Sequence, residues 1–277
     1  GESETDPQHE KFFGREHLPR ISWLLKGRQG PAPDVAYLLN PEVDDEALTK
    51  SAADPRTTPE LKVAPLQLTT FFDFKSPHSY LALQSILALK GEGISVDWRP
   101  FVSKPLKVPA EEVANENRST KHYRIRGEYH ANDIKRYASH DLTNIYRETD
   151  CQFADMGLLW LQHEVRASND AIDDYVQQVF VHLWQKEGKI DSPQDIEPLF
   201  MATKLTQDEF DKAIQDGTFI NEWQKYVEGK GLEDLDRARE ASLSQSISTA
   251  PTFLLGSEPF RGQAQLPLIK ARLMAGI

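Results

Sequence analysis

Phe71-Phe72-Asp73-Phe74-Lys75-Ser76-Pro77-His78-Ser79-Tyr80 is the stretch whose reading decides the fold. The apolar run that follows Pro65, rich in Phe, Leu and Thr, predicts a buried strand over 66–74. Ser76-Pro77 ends it and opens a helix, since serine caps a helix well and proline fits the first helical position. Tyr80, Leu83, Ile86 and Leu87 then recur at helical spacing until Gly91 and Gly93. Beyond them Ile94, Val96 and Trp98 alternate with Ser95, Asp97 and Arg99, the period of a half-buried strand. Strand, helix and strand make a βαβ unit, for which a right-handed crossover is expected. Taken alone, Ser76-Pro77 is an everyday helix start; its interest is that a hydroxyl stands where backbone N–H groups point outward.

A second motif lies about 175 residues further on, at Ser248-Thr249-Ala250-Pro251-Thr252-Phe253-Leu254-Leu255. It sets a proline immediately before an apolar strand, where a cis peptide can form a tight corner. Between the two motifs, from about 108 to about 245, the helical period takes over. Ile172, Tyr175, Val176, Val179, Phe180 and Leu183 form one apolar stripe, and helical pattern recurs near 122–139, 153–165, 194–203 and 206–215. After the second motif come a Gly256-Ser257 turn, a short strand around Pro259 to Arg261, and a last helix through Leu266, Ile269 and Leu273.

These residues resemble the thioredoxin-like family that holds DsbA, the kappa-class glutathione transferases and 2-hydroxychromene-2-carboxylate isomerase, over roughly 66–277. DsbA members carry Cys-x-x-Cys at the strand-to-helix corner, whereas the transferases and isomerases carry Ser-Pro, an aromatic residue and Ser. Ser76-Pro77-His78-Ser79 is similar to the second group. The resemblance implies an α/β, thioredoxin-like fold of the DsbA type with a large helical insertion. It also implies that Ser76 faces the sulfur of glutathione and stabilises its thiolate. Pro77 and His78 would line the same corner. The backbone of Ala250, before a cis Pro251, would pair with the cysteinyl part of the peptide. Lys107, after a one-residue shift, falls where the family places a lysine near the glutathione carboxylates, and Gln263 falls at the γ-glutamyl end.

The chain departs from the family at two of these places. His78 stands where Tyr or Phe is usual, which implies a more polar second-substrate pocket. Gly262-Gln263-Ala264 stands where Gly-Ser-Asp or Gly-Asn-Asp is common, so the carboxylate that meets an ammonium group is missing. A charge-assisted contact is worth about 1.5–3 kcal/mol, one to two orders of magnitude in affinity. The activity implied is that of a glutathione-dependent isomerase or transferase, with glutathione as co-substrate and a small-molecule electrophile as partner. The rival reading is a catalytically silent thioredoxin-like module that binds a peptide or protein. Relatives of the kappa type are often homodimers.

Composition narrows the rest. A formal charge of −11 leaves no basic footprint for nucleic acid. No apolar run approaches the ~20 residues of a membrane helix, so a soluble chain is expected. The only cysteine, Cys151, permits no intrachain disulfide and no dithiol exchange. It precedes Phe153, Met156, Leu159 and Trp160 and reads as a core residue; a single-cysteine oxidoreductase would need it exposed and low in pKa. The eight histidines show no metal-ligand spacing, and metal dependence is not expected. A lone cysteine fits the cytoplasm. Lys75 reads as a solvated side chain, and Asn117-Arg118-Ser119 matches a glycosylation sequon.

The first 65 residues differ in kind. Six of the 17 prolines fall between Pro31 and Pro65, which predicts an extended arm with one short helix near Asp44 to Ser51. Before the arm lies a weak repeat: 10–27 aligned with 258–275 gives seven identities in 18 positions. These are Glu10/Glu258, Phe12/Phe260, Gly14/Gly262, Leu18/Leu266, Pro19/Pro267, Ile21/Ile269 and Leu25/Leu273. One reading makes the N-terminus the last strand and helix of a second thioredoxin-like module; the other is chance likeness of two amphipathic helices. The first requires a strand end followed by a helix over 12–27. It also requires a surface to cover that helix, because Phe12, Phe13, Trp23, Leu24 and Leu25 are too apolar to stay wet.

Overall fold

The apolar run at the first motif forms β1 (Gln67–Phe72), and Asp73 and Phe74 leave the sheet before the helix begins. The structure, a computed structural model, describes residues 11–38, 66–109, 111, 113–142, 144–214 and 218–275. Helix α2 (Pro77–Ala88) carries Tyr80, Leu83 and Ile86 inward, and β2 (Ser95–Pro100) follows the left-handed Gly93. α1 is the helix Leu18–Leu25 nearer the N-terminus. The predicted short helix near Asp44 to Ser51 and most of the proline-rich arm lie outside the described residues.

The chain folds as two compact units. The larger comprises 67–106 and 142–261; the smaller comprises 1–66, 107–141 and 262–277. In the larger unit one sheet runs in the order β2-β1-β3-β4, with β3 spanning Thr252–Leu255 and β4 spanning Glu258–Arg261. β1 pairs with β2 in parallel, Thr70 opposite Trp98, and with β3 antiparallel, Thr70 opposite Phe253. β3 and β4 form an antiparallel hairpin through Gly256, whose φ of 59° suits the turn. The period of two sends Leu68, Thr70, Phe72, Val96, Trp98 and Phe253 to one face, all of them buried.

That face carries an aromatic core in which Phe72 meets Trp98 at 5.2 Å, Phe74 at 4.8 Å and Phe180 at 5.8 Å between ring centroids. Phe180 lies on a helix of the insertion, Asn169–Trp184, whose start is capped by Ser168. Trp98 donates its indole N–H to Asp173 of that helix at 2.8 Å, so the sheet and the insertion share one packed interior. Between Phe101 and Pro251 the described residues form helices and loops and no strand. Numbered in chain order these are α3 (Arg118–Tyr137), α4 (Gln152–Trp160), α5 (Asn169–Trp184), α6 (Pro193–Ala202), α7 (Gln207–Ile214), α8 (Phe219–Glu228) and α9 (Gly231–Ser244). A second aromatic cluster of Trp160, Phe200, Phe219 and Trp223 joins α4, α6 and α8. Periodicity did not separate α8 and α9 from their surroundings, although Thr218 caps α8 in the ordinary way. No helix among the described residues is long and apolar enough to cross a membrane.

The smaller unit holds α1, α3 and α10 (Leu266–Ala275). Asn117, the asparagine of the sequon, is the N-cap of α3 and accepts from the Thr120 N–H. His17, just before α1, is 2% exposed and bonded by both ring nitrogens, to the Tyr137 hydroxyl at 2.8 Å and the Tyr129 hydroxyl at 3.1 Å. Arg20 of α1 donates to the carbonyl of Arg136 and stands over the Tyr137 ring. α1 is thus tied to α3 by polar and aromatic contacts rather than by a buried apolar stripe. Lys11–Phe13 lies in no strand; only the helical half of the expected strand end and helix is present.

Candidate functional site

Ser76 caps α2 from an extended backbone, and its Oγ accepts the Ser79 N–H at 3.3 Å. The same hydroxyl donates to the carbonyl of Ala250 at 3.4 Å, across 174 positions of sequence. The Ala250–Pro251 peptide is cis. The two motifs therefore meet at a single hydrogen bond: the mouth of a helix faces the corner before β3. Ser76 is 6% exposed, Pro77 is buried, and His78, the second residue of α2, is half-buried. Phe71, Phe101 and Ile247 pack together beneath Ala250 and fix that side of the corner.

Asp73, which the motif reading passed over, holds the corner from behind. It is 2% exposed, its Oδ1 accepts the Lys75 N–H at 3.0 Å, and its Oδ2 accepts from the Ser103 N–H at 2.7 Å and the Ser103 hydroxyl at 2.6 Å. Lys75 Nζ lies 2.9 Å from Oδ2, with the lysine side chain 13% exposed. Lys75 is therefore not the solvated side chain expected from sequence, because the adjacent carboxylate draws its ammonium inward. Desolvation works against that charge and Asp73 for it, and the balance raises the lysine pKa above its ordinary value. Trp184 of α5 donates its indole N–H to the Phe74 carbonyl at 2.8 Å and stacks on Tyr80, which ties the loop to the insertion. An acidic residue inside an aromatic run was the signal available for Asp73, since a buried carboxylate needs several donors.

Beside this pair lie Cys151 and Asp155. Cys151 is 4% exposed, and burial followed by the Asp155 and Asp73 charges pushes its thiol well above the usual range. That disposes of Cys151 as an exposed nucleophile and agrees with its reading as a core residue. We expect native protein to resist alkylation by iodoacetamide at pH 8 while the urea-unfolded chain takes up one equivalent, read by intact mass. Asp155 is 2% exposed, and its Oδ1 has no hydrogen-bond partner; burial, and then Asp73, raise its carboxyl well above the carboxylate range and favour the neutral acid.

Ser76, Pro77, His78, Ala250 and Pro251 all belong to the larger unit and meet there. Lys107 and Gln263 belong to the smaller one. Lys107 is exposed in an irregular segment, while Gln263 is 9% exposed and donates its side-chain amide to Asp34 of the arm at 2.7 Å. On the Thr69 and Phe71 face of the sheet an open cleft of about 840 Å³ runs between the strands and α9. Phe71, Leu159 and Leu254 line it together with the ion pairs Arg99–Asp97 and Arg237–Asp234 and with Lys230, which pairs with Glu164; none of the corner residues lines it. Among the described residues no cluster of three or more His, Cys, Asp or Glu could hold a metal ion.

The chain matches the DSBA-like thioredoxin domain over residues 67–273. In structure it is similar to a 2-hydroxychromene-2-carboxylate isomerase, with 19% identity and a TM-score of 0.52 over 76% of this chain and 95% of that one. It is also similar to a probable DsbA oxidoreductase from Streptomyces coelicolor, with 12% identity and a TM-score of 0.50 over 76% of this chain and 90% of that one. No curated protein matches it in sequence.

Proposed function

Since the chain belongs to the DSBA-like thioredoxin domain family, we propose that it uses the family's corner on a thiol that it does not itself own, as a glutathione-dependent isomerase or transferase. The observation that carries this reading is the Ser76 hydroxyl, held at a helix N-terminus and aimed at the carbonyl before cis Pro251. A thiol with a pKa near ~8.5 is mostly protonated at neutral pH and a poor nucleophile. The N-terminal partial charge of α2 and one hydroxyl donor both favour its thiolate. The Ser76 proton can turn from the Ala250 carbonyl to an incoming sulfur by rotation about Cβ–Oγ, while the oxygen keeps the Ser79 N–H. The single cysteine lies behind the corner, 4% exposed and with its thiol pushed well above the usual range, so the reactive sulfur has to come from a bound thiol.

In the isomerase form, the thiolate adds to a conjugated double bond. A C–S bond forms, the π electrons move onto the conjugated acceptor, and the former double bond turns as a single bond. Return of those electrons expels the thiolate and restores the alkene. The test is titration calorimetry with reduced glutathione. Binding between micromolar and low millimolar is expected, with a rise in melting midpoint as the native state is loaded. No heat and no shift at 10 mM would reject the reading in favour of a silent binding module.

That second reading has its own observation. Gln263, at the γ-glutamyl end of the family's site, is engaged by Asp34 of the chain's own arm, and Ala264 brings no carboxylate. If glutathione does not bind, a peptide or protein that adds as a strand beside the cis-proline corner is the partner to seek.

A further inference from the structure

The seven identities between 10–27 and 258–275 are matched by the backbone. Gly14, at φ 105° and ψ 151°, and Gly262, at φ 82° and ψ 154°, hold the same positive-φ conformation. Each is followed by a three-residue 3-10 turn, Arg15–His17 and Gln263–Gln265, and each turn runs directly into an α-helix whose second residue is proline. The equivalent carbonyls, Glu16 and Ala264, accept from consecutive amides of the arm, Ala36 at 3.0 Å and Tyr37 at 2.9 Å. Two amphipathic helices that resembled each other by chance would share an apolar stripe. They would have no reason to share a left-handed glycine, a turn of the same length and the same bonded carbonyl.

What the two copies do not share is burial. Leu266, Ile269 and Leu273 are 5%, 0% and 6% exposed, whereas their counterparts Leu18 and Leu25 are 49% and 84% exposed and Ile21 is only half-buried. The residues that bury α10 are thus repeated in α1 and left uncovered there. Lys11–Phe13, the counterpart of β4, lies in no strand and is held by Tyr129 and Arg136 of α3, so the likeness of backbone is confined to Gly14–Leu25.

We propose that Gly14–Leu25 is the terminal corner and helix of a second thioredoxin-like unit, and that Leu18, Ile21 and Leu25 are the face it turns to that unit's sheet. The occupant is a thioredoxin-like sheet of the same polypeptide, because the three positions left uncovered in α1 are the ones buried in α10. This inference does not depend on the thiol chemistry proposed above.

The test compares the natural polypeptide with its Leu18→Glu/Leu25→Glu variant, by thermal unfolding, light-scattering mass and hydrogen exchange. Leu243→Glu, at a leucine 70% exposed on α9, serves as the control and leaves all three unchanged. The expected result is an unchanged mass, a melting midpoint lower by roughly 5 °C or more, and loss of exchange protection in sequence N-terminal to Lys11. Three results overturn the proposal. An unchanged midpoint means that the face is wet; a mass that falls from dimer to monomer means that a second copy covers it; loss confined to 39–65 means that the arm does. If the glutamate variant does not fold, Leu18→Ala/Leu25→Ala is read by the same exchange map.

Discussion

Asp73→Ala is expected to lower the stability of the larger unit by about 3–5 kcal/mol, the usual cost of stripping one partner from a buried ion pair. The carboxylate takes two bonds from Ser103, one from the Lys75 amide and the Lys75 ammonium itself. Its loss leaves an ammonium that is 13% exposed without its partner. For a unit of this size the midpoint should fall on the order of 10 °C. The double variant Asp73→Ala/Lys75→Met removes both charges, and it should recover at least half of the loss, because a methionine stem fills the lysine's space without a charge to desolvate. Denaturant unfolding of the three proteins decides the matter. A single variant within 1 kcal/mol of wild type, or a double variant no better than the single, would show that the pair is not what holds the corner.

The βαβ half was legible because its periods are clean: alternation in 94–99 and helical recurrence in 80–87 need no tertiary information. The joint occurrence of Ser76-Pro77 and Ala250-Pro251 located the two walls of the corner, which the Ser76 to Ala250 hydrogen bond now joins. Sequence could not say what supports those walls. Asp73 and Lys75 are charged residues in a short run, and charge alone reads as solvent exposure; only the arrival of Ser103, 30 residues on, makes burial affordable. Asp155 was hidden because the charges that act on it, Asp73 and Lys75, come from another segment of the fold. The helices α8 and α9 were lost inside a uniformly helical stretch, where caps such as Thr218 are weaker signals than a change of period. Lys107 and Gln263 were chosen by resemblance rather than by pattern, and they fall in the unit that also holds the arm.

If the thiolate reading is right, Ser76→Ala should lower the turnover of a glutathione-dependent reaction by about 10- to 100-fold at pH 7, the equivalent of one charge-assisted hydrogen bond of about 1.5–3 kcal/mol. The sign of the pH dependence is what separates this from simple damage. A site that favours the thiolate lowers the pKa of the bound thiol, so turnover rises with pH through that lowered value and then levels off. Without the hydroxyl the bound value lies higher, and the variant's rise is displaced to higher pH. Its deficit should be greatest below the wild-type value and should close as the pH passes the variant's own. A loss that stayed the same from pH 6 to pH 10 would instead report misplaced substrate or a loosened fold. Because Ser76 is also the cap of α2, its alanine variant is expected to lose roughly 1 kcal/mol of stability as well. Ser76→Gly removes the same hydroxyl but keeps most of the capping preference. Equal kinetic deficits in the two variants, with unequal melting temperatures, would assign the effect to the hydrogen bond on sulfur. A glycine variant as active as wild type would mean that Ser76 serves the helix and not the chemistry.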